Sequence, residues 1–247
     1  MKNRSSPHPL FTLLLASIIL IPPANSAADE TLDEVHPCGS LANAYGPFDY
    51  RKHKGQPLIN IVEQAHFTPD VEQLRKPMFQ HFAADFDYTL RAVPNHHRAL
   101  VSMAKYSEKV KNPQPPGAQR TVDCYFDRAM RFAVDDLIVR MIYAGHLTRV
   151  ARPRDALGQL DYVKRYAGEN PLTHYNLGLL YFDAGNLDAA LAEAHLAQQL
   201  GMRRVELRDK LVKAGKWRDP APLPQTPMPA QSSALVPGVS ASTPETK

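Results

Sequence analysis

A mainly α-helical fold of antiparallel helix pairs, with an irregular N-terminal segment, is predicted by three features of the 247-residue chain. Two stretches of the C-terminal half, divided by Gly168 and Pro171, carry small or matching residues at equal offsets: Ala144 and Gly178, Ala156 and Ala190, Leu157 and Leu191. That offset is about 34 residues, the length of one helix–turn–helix unit. Turn residues recur between the apolar stretches, Arg152-Pro153-Arg154-Asp155 in one unit and Gly185-Asn186 in the next. The hydrophobic fraction of 44% supplies enough side chains for a packed core.

From the N-terminus, Lys2 and Arg4 precede an uncharged apolar run, Leu10 to Ile21, which Pro22 and Pro23 end before the small residues Ala24-Asn25-Ser26-Ala27-Ala28. This is the layout of a secretory signal peptide, expected over residues 1–28 and cleaved after Ser26 or Ala28. The run is shorter than the about 20 residues a bilayer crossing needs, so no membrane span is expected in the mature chain. Residues 29–94 read as an irregular segment packed on the helical domain, because Pro and Gly interrupt Pro37-Cys38-Gly39 and Tyr45-Gly46-Pro47-Phe48. Within it, Leu58 to Phe67 reads as a short strand or extended connector and Phe86 to Arg91 as a second extended piece, with a small two-stranded β pairing between them an option. Thr68-Pro69-Asp70 signals a helix start: a capping hydroxyl, a proline at the first helical position and an acid in the first turn.

Residues 95–217 read as the helical domain. Pro94-Asn95 is expected to cap a helix from His96 to about Lys109, and Asn112 to Gly117 forms a Pro-rich loop before a helix from Ala118 to Phe132. These two helices make a degenerate earlier pair, and Val205 to Ala214 makes a last helix that closes the array. A stacked helical array needs about three repeats and a cap. Residues 218–247 are rich in Pro, Ser, Thr and Ala, a composition with little to bury, and read as a disordered tail.

The charge of +4 comes from 29 Lys and Arg against 25 Asp and Glu, interleaved as in Arg203-Arg204, Glu206, Arg208, Asp209 and Lys210. A solvated surface has that pattern and a one-signed nucleic-acid stripe does not, so nucleic acid is excluded as the expected partner. The only cysteines are Cys38 and Cys124. Export permits a bridge between them, worth about 4 kcal/mol in the chain-entropy picture, against the alternative of two unrelated buried thiols. Neither sits in C-x-x-C, so thioredoxin-like chemistry and covalent haem are disfavoured. No cofactor is expected.

With Tyr45-Gly46-Pro47-Phe48-Asp49-Tyr50-Arg51, Ala65-His66-Phe67-Thr68-Pro69-Asp70 and the run Asp87 to Leu100 set beside the later repeats (Asn176-Leu177-Gly178, Tyr181, Gly185, Ala190, Ala197), the chain resembles poorly characterised proteobacterial periplasmic tetratricopeptide-repeat (TPR-like) proteins. The resemblance spans about Cys38 to Trp217 and implies a short α-solenoid and export, with no residue-level activity attached.

The candidate site is the inner face of the last two units, Ile138, Met141, Ile142, Tyr175, Asn176, Leu179 and Phe182, which is apolar and aromatic and lacks the cations of a carboxylate clamp. It suits an apolar helix or extended peptide of an envelope protein, or else is buried against the N-terminal segment. Asp49, Arg51, Asp87, Arg91, His96 and His97 form a candidate polar cluster. A rival reading takes His66, His96 and His97 as part of a metal-dependent or hydrolytic envelope enzyme, although adjacent helical residues point about 100° apart and the chain has no G-x-S-x-G, H-E-x-x-H or Walker-type run. No metal ligand or catalytic residue is assigned. A third reading is a peptidoglycan-binding module.

Overall fold

Eleven helices make up the regular structure of residues 36–220, the portion that the computed structural model describes, and no strand occurs among these residues. In chain order they are α1 (Tyr50–His53), α2 (Pro57–His66), α3 (Pro69–Glu72), α4 (Phe82–Ala92), α5 (His97–Val110), α6 (Val122–Phe132), α7 (Leu137–Arg149), α8 (Pro153–Tyr166), α9 (Pro171–Asp183), α10 (Leu187–Gln199) and α11 (Glu206–Lys213). The expected signal peptide and nearly all of the expected tail lie outside the described residues. Among those residues, no helix is long and apolar enough to cross a membrane.

The helices pair as neighbours in the chain. Helix α5 packs on α6, α7 on α8 and α9 on α10, while α5, α7 and α9 also touch one another in line, so that they form an inner row. Helix α11 rests on α9 and α10 and closes the far end. At the near end, α2 packs on α4 and α4 on α5, which adds a further helix pair where an irregular segment was expected.

Both expected extended pieces are therefore helical, and their sequences carry the reason. Pro57 sits in the first turn of α2, and Ile59 and Val62, three apart, are buried on one face, leaving Leu58 and Ile61 exposed. In α4, Ala83, Phe86 and Leu90 recur at helical spacing and are buried. Arg91 Nε donates to Asp87 Oδ2 at 2.9 Å, four residues back, and Thr89 Oγ1 donates to the Asp85 carbonyl, contacts that only helical geometry allows. β-Branched composition favoured strands locally, and burial of one helical face outweighed it.

Each helix of the inner row ends in the same way. Lys111 (φ 54°), Ala151 (φ 60°) and Gly185 (φ 85°) take the left-handed conformation after α5, α7 and α9. The following amides, those of Asn112, Arg152 and Asn186, donate back to the carbonyls of Ser107, Leu147 and Tyr181. This closes the last turn with a six-residue return bond, and glycine accommodates it best. Starts are capped by side chains: Thr68 accepts from the Val71 amide, Thr121 from Cys124, Asp136 from Ile138, and Asn170 from Leu172 and Thr173. Helix α5 differs from expectation, because its cap is His96, whose Nδ1 accepts from the Ala99 amide at 3.1 Å, and not Asn95.

One core runs from Phe67 through the hairpins to Leu211, and a smaller one gathers Tyr50, Ile59, Val62, Ala92 and Val93 beneath Tyr45, Phe48 and Tyr88. Gly178 shows why a small residue recurs in the repeat: a Cβ there would run into Leu207 of α11 and press on the Ala190 carbonyl of α10. Cys38 and Cys124 are bridged, closing a separation of 86 residues. Arginines of and next to α6 hold the same strap: Arg120 Nε donates to the Cys38 carbonyl at 3.0 Å, Arg131 Nη2 to the Gly39 carbonyl at 2.9 Å, and the buried Arg128 to the Gly39 and Ser40 carbonyls.

Candidate functional site

The inner row presents two hollows that meet. Residues at helical spacing build the first, of about 460 Å³: Ile138, Met141, Ile142 and Gly145 on α7 face Asn176, Leu179, Leu180 and Asp183 on α9, with Val101 and Lys105 of α5 closing it. Ile138 is 46% exposed, while Met141, Ile142 and Leu179 beside it are half-buried against the core. The second hollow, of about 550 Å³, lies between α3 and α5 and is lined by Glu72, Leu74, His97, Arg98, Ser102 and the same Val101 and Lys105. Together they make one groove across α3, α5, α7 and α9 with an apolar floor over α7 and α9.

The charges bordering the groove are mostly matched. Arg98 Nε donates to Glu72 Oε1 at 2.8 Å, and this guanidinium holds the Glu72 carboxyl below the usual carboxylate range. Arg149 Nε donates to Glu108 Oε2 at 2.9 Å, and Asp183 pairs with Lys210 of α11 at 3.3 Å. Lys105 is exposed and has no ion pair or hydrogen bond among the described residues.

Of the seven predicted groove residues, Ile138, Met141, Ile142, Asn176 and Leu179 converge in the first hollow. Tyr175 and Phe182 do not join them. Tyr175 is 3% exposed and lies against Ala194, Ala197 and Leu207, with its hydroxyl 3.4 Å from Glu206 Oε2. Phe182 is half-buried, with Lys210 Nζ 5.3 Å from its ring centre. A rotation of about 100° per residue turns both toward α10 and α11, which are the elements that cover them. The alternative expectation, a face buried by the N-terminal segment, is met only at the margin, where Glu72 and Leu74 border the second hollow.

The six predicted polar residues separate into three clusters. In the first, Asn95 is fully buried and uses all three of its good hydrogen bonds. Its Oδ1 accepts from the Tyr50 amide at 2.9 Å, and its Nδ2 donates to Asp49 Oδ1 at 2.8 Å and to Asp136 Oδ2 at 2.9 Å. His97 Nε2 lies 2.8 Å from Asp136 Oδ2, and Arg51 bonds Asp49 and Asp135. Burial opposes charge on Asp136, yet His97, Asn95 and Arg51 outweigh it and keep its carboxyl below the ordinary range. The Arg51 hydrogen bond does the same for Asp49. In the second cluster, Asp87 joins Arg91 to the buried Tyr125 hydroxyl. Burial, then the Asp87 charge, push that phenol above its usual value. In the third, the buried His96 ring lies tilted against Tyr50, 4.2 Å between centres, and places Nε2 2.9 Å from Glu63 Oε1.

His66, His96 and His97 thus face three different carboxylates, Asp85, Glu63 and Asp136, and converge on no common point. His66 is stacked between Tyr88 and Phe79, and its Nδ1 stands 3.7 Å from Asp85 Oδ1. One other trio, His36, Cys38 and Asp127, has its potential ligand atoms within 4.8 Å of one another, but the Cys38 sulfur is committed to the disulfide. Sequence reasoning passed over Lys105, Val101 and Asp136. Helical spacing from Arg98 would have placed Val101 and Lys105 on one face, and the Asp136–Ile138 capping pattern was visible in the sequence. No protein family, curated protein or solved structure matches the chain.

Proposed function

We propose that the protein is an exported scaffold or adaptor of the bacterial cell envelope, a TPR-like array that holds a protein segment in the groove of α5, α7 and α9. One observation carries the reading: an apolar floor of Ile138, Met141, Ile142 and Leu179 stays partly open along the inner row, bordered by charges that are mostly matched to one another. Large apolar side chains left open in a bordered groove mark a binding surface more often than a stability feature. Export is supported by the N-terminal charge and apolar pattern and by the disulfide, a bond that lasts in oxidising compartments.

The test is photo-crosslinking in intact cells from a benzoyl-phenylalanine placed at Met141, with the exposed outer position Asp188 on α10 as control. A discrete adduct from position 141, absent from 188 and lost when Ile142→Asp is added to a chain that keeps its circular dichroism, supports the adaptor reading. Equal labelling from both positions, or adducts indifferent to Ile142→Asp, removes it. Fractionation of the same cells reads the location directly, and retention of the protein in the cytoplasm defeats the export half.

A further inference from the structure

The unmatched charge in the groove identifies the chemistry of its occupant. Lys105 stands where the two hollows meet, shared by both linings, one turn beyond Val101 on α5. The other charges on these linings have counter-ions: Arg98 on Glu72, Arg149 on Glu108, Asp183 on Lys210. A segment lying across the floor of Ile138, Met141, Ile142 and Leu179 passes beside the exposed Lys105. An anion set against that ammonium gains a pairing, and a like charge is repelled. A neutral apolar segment would leave the ammonium uncompensated, and a basic one would be repelled.

We propose that the groove takes an acidic amphipathic segment of another protein, its apolar side chains seated on α7 and α9 and an Asp or Glu side chain paired with Lys105. This rests on the adaptor reading and adds the partner's chemistry to it. The chain's own residues 221–247 fit less well, since they hold a single acidic side chain, Glu245, close to Lys247.

The experiment pans a phage library of random peptides against the full chain and measures the selected peptides by fluorescence anisotropy on wild type, Lys105→Glu and Ile142→Asp. Both substitutions are at solvent-reaching positions, and circular dichroism confirms the fold of each. Selected peptides are expected to carry Asp or Glu between apolar residues. They should bind Lys105→Glu at least tenfold more weakly, and replacing their acid by Lys should restore binding to that variant. Peptides that bind Lys105→Glu as well as wild type, but lose Ile142→Asp, overturn the acidic partner and leave the groove reading standing. Selection of no peptide, or of peptides indifferent to both variants, removes both. In the same purified full chain, benzoyl-phenylalanine at position 141 reports a competing occupant. Crosslinks to residues 221–247, or between two copies, replace the outside partner with the tail or with self-association.

Discussion

Asn95 ties three segments together through one amide, and Asn95→Asp tests that arrangement with a change of one atom type. In the native protein both Nδ2 hydrogens go to carboxylates, Asp49 Oδ1 at 2.8 Å and Asp136 Oδ2 at 2.9 Å, and no water-exposed direction remains. An aspartate at this position sets a third carboxylate against two others unless one of the three takes up a proton. At about pH 7, protonating a carboxyl of ordinary pKa near 4 costs about 4 kcal/mol, from 1.36 kcal/mol for each pH unit. The protonated acid keeps one donor, so one charge-assisted hydrogen bond is still lost, about 1.5–3 kcal/mol. The expected destabilisation is about 6 kcal/mol at pH 7, comparable with the whole stability of many domains, and about 3 kcal/mol at pH 5. Asn95→Ala removes the same bonds without adding a charge, and its cost should hardly change with pH. Urea unfolding of wild type and both variants at about pH 5 and pH 7 makes the comparison. If Asn95→Asp costs the same at both pH values, or tracks Asn95→Ala throughout, the amide does not bridge two ionised carboxylates.

Three further expectations follow from the helix ends, the disulfide and His96. Ala151→Gly relieves a residue held at φ 60° in the left-handed region, and should raise stability by about 1 kcal/mol, read as an increase in Tm by calorimetry; a decrease would contradict the assigned turn. Reducing the Cys38–Cys124 bridge, or replacing both cysteines by serine, frees a loop of 86 residues and should lower stability by about 4–5 kcal/mol in the chain-entropy picture. Denaturant midpoints with and without reductant measure this, and hydrogen exchange should quicken first at residues 36–41. Burial pushes His96 below its ordinary pKa of about 6.5, and the neutral ring caps α5 through Nδ1. A depressed folded pKa means that its contribution is complete above about pH 6.5 and is lost as pH falls below that, at up to about 1.4 kcal/mol per unit. His96→Asn, which keeps a capping side chain, should flatten that slope between about pH 7 and pH 5; an unchanged slope would assign the loss to other groups.

The parts of the fold that were readable from the sequence are those where one residue type has one geometric use. Gly178 and Ala190 mark close helix approach, Thr68-Pro69-Asp70 marks a helix start, and the turn at Gly185-Asn186 needs a left-handed residue; all three lie where the spacing put them. Helices α2 and α4 were misread because Ile59, Ile61 and Val62, or Phe86 and Tyr88, favour strands locally, and what decided between helix and strand was which neighbour the face would bury. Asn95 and His96 exchanged roles for a similar reason. An asparagine before a helix is usually its cap, but here its amide is needed by two carboxylates that stand 46 and 41 residues away in sequence. Of the candidate groove, the five residues on α7 and α9 named from helical spacing line one hollow, whereas Tyr175 and Phe182 turned on the position of α11, which the spacing within α9 does not encode.

That separation bears on where function resides. Buried ionic contacts tie neighbouring helices along the array: Asp49, Asn95 and Asp136 at the entry to α5 and α7, Asp87 with Tyr125 between α4 and α6, Glu108 with His146 between α5 and α7, and His174 with Glu193 between α9 and α10. These fix how one helix meets its neighbour, and each is satisfied within the chain. The groove floor has the opposite character. Ile138 is open at the groove floor, while Met141, Ile142 and Leu179 are half-buried against the core and keep part of their surface in the groove. The part of Ile138 that stays exposed, 46%, contributes nothing to the hydrophobic stability of the isolated chain, since it is still in water. Covering that remaining surface would be favourable, and Lys105 beside it, with no ion pair among the described residues, would favour the acidic segment proposed above.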